Sequence, residues 1–360
     1  MKSFPRHPER ILIRSTNWIG DAVMTTPAVR TIRENFPAST ISILLLPWVA
    51  DIFRHSPRVD RLILYDRQGR HQGVLGKWKL ARELARERFD CAILLQNAFE
   101  AALISCVAGI PARGGYTTDG RRLLLTHGVI KAADIGLKHQ VYYYQEMLQG
   151  LGLTPSEDRL ELFVPQQVRG KAKQRLAAMS KGTKRRPLIG LNPGAAYGPA
   201  KRWPAEQFAE LALRICTELA ADVAVFGTKA DQETAKHIRQ AVPQRDHVLD
   251  FTGATDLIEA IALIEQCAAF VTNDSGLMHV AAALGTPLVA IFGSTDHIAT
   301  GPFSPCSVII RKELPCSPCK KSVCPQKHLN CLYAISPGEV LAGIRQLLTP
   351  DHDPEYGAPG

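Results

Sequence analysis

The sequence lacks the two glycine-rich signatures of the commonest nucleotide-binding proteins. It contains no GxxxxGK[ST] loop and no GxGxxG, so P-loop ATPases and nicotinamide-dependent enzymes lose their main sequence support. Its only Asp-x-Asp motif, Asp351-His352-Asp353, lies in the closing segment DHDPEYGAPG. The sequence therefore disfavours a metal-chelating mechanism of the Asp-x-Asp type, and we expect neither a metal nor a cofactor.

Long apolar runs are also missing. No window approaches the roughly 20 apolar residues that span a bilayer, and MKSFPRHPER leads into a strand-like run without the apolar stretch and cleavage site of a signal peptide. The nine cysteines are odd in number, which suits reduced thiols better than a disulfide framework. These features predict a cytoplasmic protein whose membrane contact is only peripheral.

Aromatic residues are scarce at 7% of the chain. The net charge of +9 implies an acidic partner, which could be nucleic acid, an anionic membrane surface or a phosphorylated substrate. Because no nucleic-acid-binding module is recognisable and aromatics are few, we do not expect nucleic acid. The excess of basic residues leans toward the first half of the chain.

What is present is an alternation of short apolar runs with longer amphipathic stretches, typical of βαβ units and parallel sheets. A length of 360 residues suggests two domains, and the pattern predicts an α/β protein of two Rossmann-like parallel-sheet domains facing a central cleft. The predicted strands are Ile11–Arg14, Ile41–Leu46, Leu62–Tyr65, Cys91–Leu95, Leu188–Asn192, Val223–Phe226, Val248–Phe251, Phe270–Asn273 and Leu288–Phe292.

The polar, basic stretch from Pro165 to Pro187 separates the two strand patterns, so the domain boundary is predicted there. The first domain covers residues 1–165 and the second residues 187–336. A helix at 337–349 is expected to pack back on the first domain, and residues 350–360 form a flexible, Pro/Gly-rich tail.

The first motif with chemical content is Asn17-Trp18-Ile19-Gly20-Asp21, which follows the first strand and opens a helix. Open α/β sheets bind ligands at this end of their strands. Gly20 allows a substrate to approach the backbone. Asp21 has two interpretations from the pattern alone: a helix cap, which is the commoner use, or a carboxylate base.

A second motif, Thr272-Asn273-Asp274-Ser275-Gly276-Leu277-Met278-His279, ends a buried strand and starts an alanine-rich helix. The unpaired amides and positive dipole end of such a helix suit a phosphate. A plain turn, with Asp274 or Ser275 as cap and His279 packed in the core, is the alternative.

Two further turns follow strands in the second half. PGAAYGPAKRWP combines small residues with Lys201 and Arg202, as a diphosphate requires, although a solvated surface loop has the same composition. Gly227-Thr228-Lys229-Ala230-Asp231 ends the next strand, where its polar groups could contact a ribose or base.

Cys316, Cys319, Cys324 and Cys331 lie within sixteen residues, and four thiols can ligate zinc. The spacing departs from paired CxxC knuckles, however, and Lys320, Lys321 and Lys327 lie between the thiols. A basic loop facing phosphate, a redox-sensitive loop and an ordered hairpin are therefore alternatives to a metal site.

Taken together, NWIGDAVMTTPAVR, PGAAYGPAKRWP and TNDSGLMHVAAALGTPLVAIFGSTDHIATGPFS resemble the ADP-heptose:lipopolysaccharide heptosyltransferases of glycosyltransferase family 9. The resemblance covers nearly the whole chain in the expected order. The Trp-x-Gly-Asp opening and the CSPCKKSVCP loop are most similar to the branch that adds the second heptose. This resemblance implies a GT-B fold and ADP-heptose binding mainly to the second domain, without an essential metal.

The resemblance also implies roles for the matching residues. Asp21 becomes the base for the acceptor hydroxyl, and Lys201 neutralises the leaving diphosphate together with the backbone at Ser275, Gly276 and Leu277. The remaining donor-binding positions are expected to be Gly20, Gly227, Thr228, Asp231, Asp274 and His279. One base and a single displacement imply inversion at the anomeric carbon.

The acceptor is expected to be a lipid A core at the cytoplasmic membrane surface. Trp18 favours heptosyl-Kdo-lipid A, while transfer to Kdo or another core sugar, or epimerisation of a sugar nucleotide on the same fold, are the alternatives. The basic residues that could face the acceptor's acidic groups are Arg54, Arg58, Arg61, Arg67, Arg113, Arg121 and Arg122.

Overall fold

A computed structural model describes residues 4–179 and 186–349. The chain divides into two compact units, Met1–Phe163 and Val164–Gly360. The boundary lies two residues before the predicted one at residue 165. The residues of the predicted tail at 350–360, with Asp351 and Asp353, lie outside the described part of the chain.

The first unit is a six-stranded parallel sheet with helices in the connections. Its strand order is β3-β2-β1-β4-β5-β6, and strands such as β1 are buried along nearly their whole length, as expected when helices cover both faces of a parallel sheet. Its elements are β1 Arg10–Arg14, α1 Ile19–Met24, α2 Thr26–Asn35, β2 Thr40–Leu45, α3 Ala50–Phe53, β3 Arg61–Leu64, α4 Gly73–Arg86, β4 Cys91–Leu94, α5 Phe99–Val107, β5 Ala112–Tyr116, β6 His127–Val129 and α6 Gln140–Gly150.

The second unit repeats this architecture with strand order β12-β11-β10-β7-β8-β9, again all parallel. Its elements are α7 Gln166–Met179, β7 Leu188–Asn192, α8 Ala205–Glu218, β8 Asp222–Val225, α9 Gln232–Ala241, β9 Val248–Asp250, α10 Leu257–Ile264, β10 Ala269–Asn273, α11 Gly276–Leu284, β11 Leu288–Phe292, α12 His297–Thr300, β12 Ser307–Arg311, α13 Asn330–Tyr333 and α14 Pro337–Leu348.

Every predicted strand is present, and the α/β class with two Rossmann-like parallel sheets is confirmed. Three strands at or next to a sheet edge were not predicted from the sequence. β5 reads Ala-Arg-Gly-Gly-Tyr and β6 has three residues, so neither shows an apolar run. β12 is a half-exposed edge strand that follows Pro305. Such strands are defined by pairing with a neighbour more than by their own composition.

Two helices differ from expectation. The stretch predicted as a polar connection contains α7, which packs on α10 and pairs Arg169 with Glu265 at 2.7 Å.

The closing helix α14 was predicted to pack on the first domain. Its buried face instead packs on α8, β10, β11 and β12, where Val340, Leu341 and Ile344 join the core of the second unit. The apolar face of α14 is thus buried against the second sheet, which directly precedes the helix in the chain.

Among residues 4–179 and 186–349, no helix is long and apolar enough to cross a bilayer.

Candidate functional site

The second sheet places its chemically interesting loops at a topological switch point. The chain runs from β7 outward through β8 and β9, then returns to lay β10 on the other side of β7. The loops after β7 and β10 therefore leave in opposite directions and open a crevice at the carboxyl ends of the strands, where such sheets bind ligands. The first loop carries Lys201 and the second carries Asp274.

Lys201 and Asp274 form an ion pair across this crevice. The Nζ atom of Lys201 is 2.7 Å from Oδ2 of Asp274, and both side chains are largely buried. Lys201 ends a 3₁₀ turn, Pro199–Lys201, and its ammonium also lies 5.0 Å from the ring centroid of Tyr197. A cation held in this way is positioned for an anionic ligand at low cost in side-chain entropy.

Two buried asparagines, which the sequence analysis did not select, support both loops. Asn273 accepts a hydrogen bond from the backbone of Trp203 at 3.0 Å and donates to the carbonyl of Pro193 at 2.7 Å. Asn192 donates to the hydroxyls of Thr272 and Ser275. Each asparagine is the last residue of a buried, mainly apolar strand, which is the sequence signal that could have identified them.

Helix α11 directs its first turn toward the same crevice. Ser275 is its N-cap residue with an extended backbone, so the amides of Gly276, Leu277 and Met278 have no acceptor within the helix. Nine residues of helix add a partial positive charge at this end. His279 lies one turn further along and is buried. The free amides of this first turn are suited to an anion, and phosphate binding by the motif stays a prediction.

The turn after β8 is built around Asp231. Its carboxylate accepts hydrogen bonds at 2.8 Å from both the backbone amide and the hydroxyl of Thr228, which forms a capping box. A Cβ on Gly227 would lie 2.9 Å from Cβ of Asp231, and one on Gly194 would lie 2.8 Å from its carboxylate. Asp231 therefore shapes the turn, and its Oδ2 atom accepts both hydrogen bonds from Thr228.

The cysteine-bearing loop packs directly on the Lys201 loop. Ala200 donates a backbone hydrogen bond to the carbonyl of Ser322 at 3.0 Å, and the hydroxyl of Tyr197 donates to that of Lys320 at 3.1 Å. Gly198 has a φ of 150°, and a Cβ there would lie 2.4 Å from the Ser322 carbonyl oxygen. Glycine is required at this close approach.

The four thiols of this loop line one pocket together with His328. Backbone amides, chiefly that of Leu329, donate to the sulfur of Cys324 and lower the pKa of its thiol, whereas burial raises the pKa of Cys331. Within residues 4–179 and 186–349, no three His, Cys, Asp or Glu side chains are arranged to hold a metal ion. The backbone contacts of Ser322 and Lys320 support the Lys201 turn.

The first sheet has its own switch point, between β1 and β4. The turn after β1 is held by the buried guanidinium of Arg14, which donates to the side chain of Asn17 at 3.0 Å, and by the indole of Trp48, which donates to the Asn17 carbonyl at 2.8 Å. Burial lowers the pKa of Arg14 to about 10. Trp18, next in the chain, is 62% exposed.

Asp21 lies in the first turn of α1, three residues after the N-cap Trp18. It is therefore not the capping residue that the pattern favoured. Tyr144 of α6 is its electrostatic neighbour: burial, and then the Asp21 carboxylate, raise the pKa of the Tyr144 phenol well above its usual value. A carboxylate beside a neutral phenol at the end of a parallel strand can accept a proton from a bound hydroxyl.

The predicted acceptor-binding arginines fall into two groups. Arg121 is fully buried, donates to the Tyr116 carbonyl at 2.7 Å, to Asn97 at 2.6 Å and to the Gln96 carbonyl, and burial lowers its pKa to about 10. Arg113 donates to the backbone at Leu124 and Ile110. The guanidinium of Arg121 is therefore used within the fold and does not fit the predicted acceptor contact, whereas acceptor contact by the partly buried Arg113 stays a prediction.

Among the other five candidates, Arg54 and Arg122 are exposed. Arg54 forms an i,i+3 pair with Asp51 at 2.8 Å. Of the remaining basic residues, Arg58 pairs with Glu161 and Arg61 with Glu87, while Arg67 is exposed.

Known proteins resemble this chain over almost its whole length. The family model "Glycosyltransferase family 9 (heptosyltransferase)" matches residues 77–330. The Lipooligosaccharide heptosyltransferase 2 of Haemophilus ducreyi is 33% identical, over 94% of this chain and 99% of its own. The Lipopolysaccharide heptosyltransferase 2 of Escherichia coli is also 33% identical, over 94% of this chain and 98% of its own.

A solved structure agrees with these sequences. The structure described as E. coli ADP-heptose lps heptosyltransferase II superposes with a TM-score of 0.79 and 30% sequence identity, covering 94% of this chain and 98% of that one.

Proposed function

The chain belongs to glycosyltransferase family 9, the heptosyltransferases, and we propose that it transfers heptose from ADP-heptose to the inner core of lipopolysaccharide, adding the second heptose to heptosyl-Kdo-lipid A. The relatives that match it end to end are heptosyltransferases 2. The observation in this chain that carries the proposal is the crevice formed by Lys201, Asp274 and the first turn of α11.

The donor diphosphate is proposed to bind in that crevice. Lys201 supplies a positive charge, and the amides of Gly276 and Leu277 supply hydrogen-bond donors that need no reorganisation when negative charge develops on the leaving group. Because Asp274 already pairs with Lys201, it positions the ammonium before the donor arrives. The turn at Gly227–Asp231 is proposed to hold the adenosine side.

Asp21 is proposed to act as the general base. It accepts the proton of the acceptor hydroxyl while that oxygen attacks the anomeric carbon, and the bond from the anomeric carbon to the diphosphate oxygen breaks. A positioned base of this kind typically contributes about a hundred- to ten-thousand-fold in rate. A single displacement inverts the anomeric centre, and NMR of the product's anomeric coupling checks this; a retained configuration would contradict it.

Three exposed residues of the first unit are proposed to contact the acceptor. Trp18 offers an exposed ring for a sugar face, and Arg54 and Arg122 offer exposed cations for its acidic groups. We place the reaction at the cytoplasmic surface of the inner membrane, where a lipid A core acceptor would be reached by a protein in peripheral contact.

The decisive experiment is heptose transfer from ADP-heptose to purified cores ending in either Kdo or one heptose. We expect product only with the heptose-ended core. The Asp21→Asn variant should lose about a hundredfold or more in kcat while binding ADP as wild type does. Asp134→Asn, which changes an exposed acid on a 3₁₀ turn of the same unit, is the matched control and should keep full activity.

Other results would redirect the proposal. Product with the Kdo-ended core would change the acceptor, and full activity of Asp21→Asn would remove the base assignment. Conversion of the sugar nucleotide to another epimer without any acceptor would replace transfer by epimerisation, the alternative that the whole-length relatives do not favour.

A further inference from the structure

Large apolar side chains are exposed on two neighbouring helices of the first unit. On α5, Phe99, Leu103 and Val107 are exposed at four-residue spacing, so they form one stripe along the outer face of the helix. Ala101, Ala102 and Ile104 of the same helix are buried. The inner face of α5 thus already fills the core, and the outer stripe is additional apolar surface.

Helix α4 exposes a second apolar group in its first two turns. Val74 and Leu75 are 83% and 82% exposed, and Trp78 is about half exposed. The opposite face of α4 is buried through Leu80, Ala81 and Leu84. Soluble proteins commonly expose single apolar residues, but contiguous groups mark sites of interaction.

The two groups lie side by side. α4 and α5 pack against each other, and the ammonium of Lys77 on α4 forms an ion pair with Glu100 at the start of α5. Glu100 also accepts a hydrogen bond from Tyr65 at 2.9 Å, which fixes the start of α5 to the sheet. We call Val74, Leu75 and Trp78 on α4 with Phe99, Leu103 and Val107 on α5 the apolar patch.

A rigid loop extends the patch. Arg121 bonds to Gln96 and Asn97, just before α5, and thereby holds the following 3₁₀ turn beside that helix, which it contacts. Leu123 in this turn is 94% exposed. The buried arginine therefore presents an apolar residue to solvent next to α5.

Cations border the patch on α4. Lys79, Arg82 and Arg86 are exposed, and the guanidinium of Arg82 lies 4.6 Å from the ring centroid of Trp78. The acids of this helix segment are engaged by other arginines: Glu83 pairs with Arg70 and Glu87 with Arg61. The outer face of α4 consequently carries excess positive charge beside exposed apolar side chains.

We propose that the apolar patch and the cations of α4 dock the protein on an anionic phospholipid bilayer. Apolar side chains with a tryptophan and flanking Lys or Arg are the combination that inserts shallowly at a lipid headgroup layer. Charge complementarity favours anionic lipid over a neutral apolar partner. The inference rests on the proposed function, since it names the surface by which the enzyme reaches a membrane-embedded acceptor.

The test is co-sedimentation with vesicles of phosphatidylcholine, with and without phosphatidylglycerol. Wild type should bind the mixed vesicles, and the partition coefficient should fall at least about tenfold in a variant with Leu75→Ser and Trp78→Ser. Ile298→Ser, which changes an exposed apolar residue of the second unit, is the matched control and should bind as wild type does.

A second variant separates charge from apolar contact. Lys79→Gln with Arg82→Gln should weaken binding to the mixed vesicles by about fivefold for each charge removed and reduce its dependence on salt. Equal binding of all variants, or no binding by wild type, would overturn the proposal. A wild-type dimer that the serine variant dissociates, without vesicle binding, would instead assign the patch to a second copy of this chain.

Transfer to a water-soluble, deacylated core distinguishes this inference from the proposed function. The Leu75→Ser, Trp78→Ser variant should retain wild-type rates on that acceptor but lose rate on acceptor embedded in vesicles. If wild type transfers to the soluble core without binding vesicles, only the docking surface is wrong. If wild type transfers to neither acceptor, the proposed function itself fails.

Discussion

The Lys201 ammonium and the Asp274 carboxylate, 73 residues apart in the chain, lie 2.7 Å from each other at the carboxyl ends of adjacent strands. The pair is mostly removed from solvent, so its electrostatic coupling is stronger than that of an exposed pair. It also leaves a positive group prepared for an anionic donor at the one place where the loops of this sheet diverge.

Replacing Lys201 should impair donor use. Lys201→Gln removes the charge that stabilises the departing diphosphate, and we expect kcat/KM for ADP-heptose to fall by about a hundred- to a thousandfold. Steady-state transfer kinetics measure this. Lys236→Gln, an exposed lysine on α9, should be unaffected; a loss in both variants would point to a general effect of charge instead.

Removing the Asp274 carboxylate from this ion pair should lower the stability of the second unit. Asp274→Leu leaves the Lys201 charge without its partner, and we expect the free energy of unfolding of the second unit to fall by about 3 kcal/mol. Adding Lys201→Met should recover part of that loss, because the uncompensated charge is then gone. Urea unfolding of the single and double variants gives the coupling energy, and strictly additive losses would argue against the pair.

Arg121 and its neighbour Arg122 should behave differently. Arg121→Gln removes a buried guanidinium that bonds to Tyr116, Gln96 and Asn97, and stability should drop by about 2 to 4 kcal/mol because buried acceptors lose their donor. Arg122→Gln changes an exposed side chain and should stay within about 0.5 kcal/mol of wild type. Thermal unfolding compares them, and equal effects would show that burial does not separate the two.

Cys324 should be alkylated faster than Cys306, which lies outside the cysteine-bearing loop. Its pKa is lowered by backbone amides that stabilise the thiolate, whereas burial raises the pKa of Cys306, which is similarly accessible. Near neutral pH the thiolate fraction is therefore larger at Cys324. Iodoacetamide labelling followed by peptide mass spectrometry measures both rates; faster labelling at Cys306 would contradict this.

The strands that carry the candidate site were predictable from the sequence because each contains a short run rich in apolar residues that leads into a polar or glycine-containing turn. β11 at Leu288–Phe292 and β7 at Leu188–Asn192 match their predicted bounds. β5 and β6 were missed because neither contains a continuous apolar run, so only their pairing in the sheet defines them as strands. The same limit applied to α14, whose apolar face does not specify which sheet it covers.

The candidate site residues likewise separate into those that the sequence identified and those that only the structure identified. Asp21, Lys201 and Asp274 were selected because each follows a predicted strand and lies in a motif that resembles family 9. The sequence did not select Asn192 and Asn273, because a single asparagine at a strand end gives no indication of the loop it supports. It also grouped Arg121 with Arg122, although one is buried and the other exposed.

By itself, then, the sequence determined the α/β class, the strand ends on which ligand-binding loops sit and the family motifs, because these depend on local patterns of apolar and turn residues. Only the tertiary structure decided that β10 lies beside β7, that Lys201 consequently forms an ion pair with Asp274, and that the Arg121 side chain is buried within the fold. Strand order and side-chain burial depend on how distant segments pack, and the identity of a residue does not state which distant segment will cover it.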